Sequence, residues 1–135
     1  MTEKELFIRE VRPGIWLMDE GHEATGYLVI GSEKACVIDT MNGYNDLYRA
    51  VRKITDKPVT VVNTHGHPDH IFGNMYFEEA YIHPADAELA RSFTEHQGFV
   101  DFCREIPRKS CSVGLWTKRT GLSCPRVLKR YPKKL

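Results

Sequence analysis

Three histidines and one aspartate fall within six residues of the stretch NTHGHPDH, which runs from Asn63 to His70. Half of the six histidines of the chain lie in this patch. Neutral imidazole and carboxylate groups are the ligands expected for Zn²⁺, and Fe or Mn fit where the share of carboxylates rises. A turn of solvated or hydrogen-bonded side chains is the usual interpretation of a single histidine. Four candidate ligands after an apolar strand favour a metal site instead.

The spacing inside the patch predicts how these side chains meet. In an extended segment His65 and His67 point to the same side, so that both imidazoles can reach one ion. The glycine between them keeps the space between the rings empty. Pro68 biases His67 away from helical backbone and favours a turn. That turn would bring Asp69 and His70 round to the same cavity.

The segments before the patch predict two paired strands, a helix and a third strand. GYLVIG (26–31) and KACVIDT (34–40) are short apolar runs separated by SE, which is typical of a hairpin. NDLYRAVRKIT (45–55) repeats apolar residues at helical spacing, with Asn45 available as the N-cap. PVTVVNTH (58–65) is continuously apolar in its middle, which predicts a strand buried on both faces.

Two further elements are predicted after the patch. AYIHP indicates another short strand, and a helix is expected from Pro84, because proline suits the first helical position. The order is then strand, strand, helix, strand, loop, strand, helix. Alternation of this kind indicates an α/β layered domain.

The composition indicates one soluble domain with a modest core, since 41% of the 135 residues are hydrophobic and 27% are charged. The first ten residues, MTEKELFIRE, are charged and contain no apolar stretch of the signal-peptide type. No later segment approaches the ~18 consecutive apolar residues of a membrane span. We therefore expect a cytoplasmic protein that contacts no membrane. Its four cysteines, which form no C-x-x-C pair, are expected to be reduced thiols.

The balance of charge changes near residue 103. Residues 1–102 carry nine basic and seventeen acidic side chains, a balance of −8, whereas residues 103–135 carry ten basic and one acidic, a balance of +9. The second segment follows neither a helical nor a strand period. We therefore expect a domain in residues 1–102 and an irregular basic tail in residues 103–135. The tail is either an arm for nucleic acid or, as we favour, a disordered product of truncation or out-of-frame translation.

At the patch the chain resembles the metallo-β-lactamase-fold hydrolases, whose H-x-H-x-D-H signature is matched by His65, His67, Asp69 and His70. The context is similar as well. Residues 14–40 look like the opening strands of that family, ending in Asp39, and IFGNMYF (71–77) resembles the glycine-asparagine stretch that follows its motif. The resemblance covers about residues 6–100.

The resemblance implies an αββα sandwich of two similar halves, of which this chain would hold the N-terminal half. One or two zinc-type ions would lie at the edge between the sheets. His65 and His67 would bind the first ion, and Asp69 and His70 the second. Asp69 would also act in catalysis. Asp39 would position the motif loop, with a plain polar strand end as the alternative.

The chemistry that the resemblance implies is hydrolysis of a small-molecule substrate. A metal-held water of lowered pKa attacks an ester, thioester, amide or phosphoester, and the ions stabilise the developing negative charge. Other members of the family oxidise or reduce with iron, so the motif predicts the metal site more firmly than the reaction.

The sequence departs from the family after the motif. The resemblance implies three further ligands, namely a histidine in a glycine-rich turn, a bridging aspartate and a last histidine, and none is recognisable. His83 and His96 lie too close to the motif, and so we expect structural roles for them. Three functions stay open. The chain is a hydrolase that needs its missing half, a non-catalytic metal-binding half-domain completed by a homodimer or a complementing C-terminal half, or, least favoured, a nucleic-acid-binding derivative.

Overall fold

The computed structural model describes residues 5–94, and the predictions for His96, for three of the four cysteines and for the basic tail lie outside them. The elements follow in chain order: β1 (Leu6–Arg12), β2 (Ile15–Glu20), β3 (Ala24–Ile30), β4 (Ala35–Ile38), α1 (Leu47–Arg52), β5 (Val59–Asn63), α2 (Pro68–Ile71), a 3₁₀ helix (Phe72–Tyr76), β6 (Tyr81–Ile82) and α3 (Pro84–Thr94). The short strand and the helix predicted after the patch are confirmed as β6 and α3.

The six strands of this region form one sheet in the order β1-β2-β3-β4-β5-β6. The predicted hairpin is confirmed, because β3 and β4 are antiparallel and pair Tyr27 with Ile38. β5 lies parallel to β4, and β6 lies parallel to β5. Because parallel strands end at the same edge of a sheet, Asp39 after β4 and the histidine patch after β5 come together there.

One face of the sheet carries the hydrophobic core. Four strands contribute fully buried side chains to it, which are Met18, Leu28, Val37 and Val61. Leu47 and Val51 of α1 and Ala90 of α3 belong to the same buried cluster. Since each buried aliphatic side chain contributes about 1.5–3 kcal/mol, the helices are held on this face of the sheet.

The opposite face, which we call the open face, stays accessible in residues 5–94. A row of side chains crosses it from β2 to β5, in which Leu17 pairs with Tyr27, Tyr27 with Ile38, and Ile38 with Val62. Tyr27 is 41% exposed and Val62 is 38% exposed. The prediction that β5 is buried on both faces is therefore wrong for this region, because the described helices cover only one face.

The helix α1 is shorter than predicted and has a different N-cap. It spans Leu47–Arg52 rather than residues 45–55, and the carboxylate of Asp46 accepts from the N–H of Arg49 at 2.9 Å. Asn45, the predicted cap, donates its backbone and side-chain N–H groups to the carboxylate of Glu20 instead. Its amide therefore holds the loop before the helix.

The longest helix among residues 5–94, α3, has 11 residues. A membrane-spanning helix needs about 20. No helix in the described region is long and apolar enough to cross a bilayer.

We expect the chain on its own to self-associate or to bind a hydrophobic dye, because large exposed apolar surfaces mark interfaces or aggregation. Replacing Tyr27 and Val62 together by lysine should lower dye fluorescence and shift the chain towards the monomer. Glu88→Lys, on the exposed surface of α3, serves as the control and should change neither. Light scattering after gel filtration measures the mass. A cooperatively melting wild-type monomer without dye binding would contradict the half-fold interpretation.

Candidate metal centre

The histidine patch begins where β5 ends, and it folds back on itself so that three imidazole rings gather. The ring centroids of His65 and His67 lie 4.8 Å apart at 89°, and those of His65 and His70 lie 3.9 Å apart at 49°. The three rings that were predicted to share a site therefore lie next to one another. His67 is the most exposed of the three.

A single helical turn, α2, replaces the turn predicted after Pro68. Pro68 occupies the start of the helix, and His67 before it is extended with φ −72° and ψ 149°. The N–H of His70 donates to the carbonyl of His67 at 3.0 Å, which closes the turn. The Nε2 atom of His70 then lies 3.5 Å from Oδ2 of Asp69. This turn brings His70 back to His65, with Asp69 beside His70.

Asp39 anchors the patch from the neighbouring strand. Its Oδ1 accepts the N–H of Thr64 at 2.8 Å, and its Oδ2 accepts the Thr64 hydroxyl at 2.7 Å. The same Oδ2 accepts from Nδ1 of His70 at 2.8 Å. Of the two interpretations given for Asp39, these contacts decide for positioning of the motif loop over a plain strand end.

These contacts also fix which ring nitrogens remain for a ligand. Because a carboxylate accepts, Nδ1 of His70 donates, and in the neutral ring Nε2 then keeps its lone pair. The Thr64 hydroxyl donates to Asp39, so it accepts from Nδ1 of His65 at 2.9 Å. In the neutral ring of His65, Nε2 then also keeps its lone pair. Hydrogen bonds of this kind orient metal-binding histidines.

The backbone around Asp39 is strained. Asp39 has φ 62° and Met41 has φ 60°, values that favour glycine. Such residues cost on the order of 1–3 kcal/mol each and persist only where surrounding contacts hold them. Here the Thr40 N–H donates to the His70 carbonyl at 2.9 Å, and the Phe72 N–H donates to the Met41 carbonyl at 3.2 Å. The strained segment is therefore bonded directly to the patch.

Two buried asparagines join the same loops beneath the patch. Nδ2 of Asn74 donates to Oδ1 of Asn63 at 2.7 Å, and Nδ2 of Asn63 donates to the His70 carbonyl at 2.9 Å. The Thr40 hydroxyl donates to Oδ1 of Asn74 at 2.7 Å. A Cβ at Gly73 would overlap the Thr40 carbonyl, so the glycine before Asn74 allows this approach. The residue patterns alone did not predict the asparagine contacts.

Two residues near the start of α3 have different roles. Nδ1 of His83 accepts the N–H of Ala85 at 3.1 Å, so His83 has the structural role predicted for it. Oδ2 of Asp86 accepts the N–H of Gly66 at 2.5 Å, a contact that no sequence pattern indicated. Gly66 itself packs against α3, because an added Cβ would lie 2.6 Å from N of Ala90. The close approach to α3 is a second reason for a glycine at this position.

A buried carboxylate supports the strained segment from β2. Glu20 is 1% exposed and accepts from the N–H groups of Asn42 and Asn45, each at 2.9 Å. Burial raises the pKa of Glu20 above its ordinary value of 4.5, and these hydrogen bonds oppose the rise. Glu20 thus holds the loop that leads from Asp39 to α1.

A model of the metallo-beta-lactamase superfamily matches residues 21–105, which is more than half of the chain. The chain belongs to this superfamily. The resemblance drawn from the H-x-H-x-D-H residues is therefore confirmed. No curated protein sequence matches this superfamily member.

Solved metallo-β-lactamase structures share the fold of this superfamily member. DIM-1 exposed to ceftazidime aligns with a TM-score of 0.57 and 21% identity, over 67% of this chain and 48% of its own. A metallo-β-lactamase from Erythrobacter litoralis aligns with a TM-score of 0.55 and 21% identity, over 67% of this chain and 47% of its own. FIM-1 from Pseudomonas aeruginosa in its mono-zinc form aligns with a TM-score of 0.56 and 15% identity, over 67% of this chain and 47% of its own. At these identities the likeness concerns the fold alone.

This superfamily member spans about half the length of those solved structures. Its sheet, with helices packed on one face, corresponds to half of an αββα sandwich. The predicted fold class, α/β with the N-terminal half of that sandwich, is confirmed.

The donors of the site match zinc in type and orientation but not in number. Among residues 5–94, no three His, Cys, Asp or Glu side chains are already placed to hold an ion. Three imidazole rings nevertheless gather, and Nδ1 of both His65 and His70 is occupied by a hydrogen bond. Since protein zinc sites have four ligands, including water in catalytic sites, this set fits zinc as part of a larger site.

We expect Glu20→Ala to destabilise the fold by about 3 kcal/mol at pH 7, because it leaves buried N–H groups of the loop without an acceptor. The difference in unfolding free energy between wild type and Glu20→Ala should grow as the pH falls. A carboxyl group whose pKa is raised by folding stabilises the folded state at low pH. This stabilisation is complete below the unfolded pKa, near 4.5, and is lost as the pH rises through the folded pKa.

Urea unfolding between pH 4.5 and 7 measures this difference, with the exposed Glu33→Ala as the control. A wild-type advantage that shrinks towards low pH would show that burial does not govern Glu20.

Proposed function

We propose that this chain is the metal-binding half of a zinc-dependent hydrolase, with His65, His67, Asp69 and His70 as its metal ligands. The observation that carries the proposal is the pair of hydrogen bonds that occupy Nδ1 of His65 and Nδ1 of His70. Both rings are thereby left with Nε2 as the coordinating atom. A cluster of merely solvated histidines would not need two oriented rings.

The proposed division of ligands is the one that the family resemblance implies. His65 and His67 form the strand side of the site and would hold the first ion. Asp69 and His70 lie on α2, 3.5 Å apart at Oδ2 and Nε2, and would hold the second. One ion or two can be accommodated on this assignment, with Fe or Mn as alternatives to zinc where carboxylates contribute.

A bound zinc ion supplies a water of lowered pKa and polarises the substrate oxygen. The residues of this chain would prepare that chemistry. Asp39 accepts from Nδ1 of His70 and so leaves Nε2 of that ring as the atom that would coordinate an ion. Asp69 is 48% exposed, and its carboxylate can accept a hydrogen bond from the attacking water. This is the catalytic role that we propose for Asp69.

The activity of the whole protein is also a proposal, since this chain spans about half the length of the solved structures. Its substrate would be a small-molecule ester, thioester, amide or phosphoester. The open face would be covered by a complementing C-terminal half, or by a second copy of this chain. We propose the cytoplasm as the place of action.

A second candidate is a metal-binding half-domain without catalysis. The observation that favours it is the lack of a complete three-ligand set in residues 5–94. Reading the coding DNA beyond codon 102 in the other two frames separates the candidates. A glycine-rich turn with histidine, then aspartate, then histidine would select the hydrolase and would assign residues 103–135 to a frame change.

We expect the 135-residue chain to bind Zn²⁺ weakly, and His65→Ala or His67→Ala to remove that binding, because the site lacks ligands to spare. His83→Ala is the matched control, since His83 accepts a backbone N–H at the start of α3. Equilibrium dialysis against zinc gives the affinities. Tight binding that survives both substitutions would mean that cysteines hold the ion.

We expect negligible hydrolysis of esters, thioesters, β-lactams and phosphodiesters by this chain alone. Loss of positioning of the attacking water costs about 100-fold or more. Activity should appear when a family-like C-terminal half is supplied, and Asp69→Ala in that restored protein should abolish it, whereas the exposed Asp56→Ala should not. Assays with added zinc and with a chelator test this. Chelator-sensitive turnover by the short chain would overturn the account of missing ligands.

A further inference from the structure

The helix α3 forms one wall of the histidine patch. Oδ2 of Asp86 accepts the N–H of Gly66, the residue between His65 and His67. The acceptor lies 20 residues further along the chain and belongs to the first turn of α3. A carboxylate there would ordinarily stabilise the N-terminus of its own helix. Asp86 instead reaches across to the backbone of the patch.

Two further residues of α3 contact the same segment. The backbone of Ala90 lies so close to Gly66 that a Cβ there would be 2.6 Å from the Ala90 nitrogen. The Phe93 ring lies 6.1 Å from the His67 ring, edge to face at 66°. Residues 86, 90 and 93 are four and three positions apart and so share one face of the helix. That face fixes the backbone and one ring of the patch.

We infer that Asp86 is a positioning residue of the metal centre, one that sets the backbone between His65 and His67 so that both rings approach one ion. The inference rests on the proposed function and deepens it. Asp39 orients His65 and His70 from the side of β4, but none of its hydrogen bonds reaches Gly66 or His67. The Asp86 contact supplies the fixed point on that other side.

The backbone role is tested without metal by hydrogen exchange and mass spectrometry on the full chain. In Asp86→Ala the amide of Gly66 should exchange on the order of tenfold faster, because a hydrogen bond to a charged acceptor is lost. Asp86→Asn keeps an oxygen acceptor and should fall between Asp86→Ala and wild type. The control is Glu88→Ala, which removes an exposed acid from the same helix and should leave Gly66 unchanged.

The role towards metal is tested by equilibrium dialysis of the same variants against Zn²⁺. Removing a residue that orients metal ligands typically costs 10–100-fold in affinity, and we expect a loss of about tenfold in Asp86→Ala. Asp86→Asn should recover part of the lost zinc affinity. If Asp86→Ala does not fold, Asp86→Asn should still fold and can be tested in its place. Wild type that binds no zinc would overturn the proposed function alone. Equal exchange rates of the Gly66 amide in Asp86→Ala and Glu88→Ala would overturn the positioning role. If wild type binds zinc, equal zinc affinities of these two variants would overturn it as well.

Discussion

The carboxylate of Asp39 joins two neighbouring parallel strands at the edge where the histidines gather. It accepts three hydrogen bonds from the patch, two from Thr64 and one from His70. Each hydrogen bond to a charged group contributes about 1.5–3 kcal/mol, so together they exceed the cost, on the order of 1–3 kcal/mol, of the positive φ at Asp39. Loss of this anchor would free the ring of His70 and remove three of the contacts that hold the strained backbone in place.

Within residues 5–94, the sheet has one uncovered face and the candidate site has too few ligands. The core face is covered by helices, whereas the open face keeps Tyr27 and Val62 exposed. The site gathers three imidazoles and a carboxylate but forms no complete ligand set within residues 5–94. This superfamily member spans about half the length of its solved relatives. In the function proposed above, a matching half would cover the open face and add ligands at one edge.

Local patterns predicted β3, β4, α1, β5, β6 and α3, but not β1 or α2. Tertiary contacts decided the rest. The β3–β4 hairpin and the helix from Pro84 follow from short-range spacing and were predictable. The N-cap of α1 was not predictable, because Asn45 donates instead to Glu20 on β2, 25 residues earlier in the chain. Nor was the contact of Asp86, since an acid in the first turn of a helix is ordinary. The patch was predictable because its candidate ligands are contiguous in sequence, while the residues that orient them come from other elements.

The central claim, that histidines of the patch bind the ion, is tested most directly by X-ray absorption at the zinc edge. The sample is the 135-residue chain with one equivalent of Zn²⁺. The account predicts nitrogen and oxygen neighbours at about 2.0–2.1 Å with the outer scattering of imidazole rings, lost in His65→Ala. Sulfur neighbours at about 2.3 Å, unchanged in that variant, would place the ion on cysteines and contradict it.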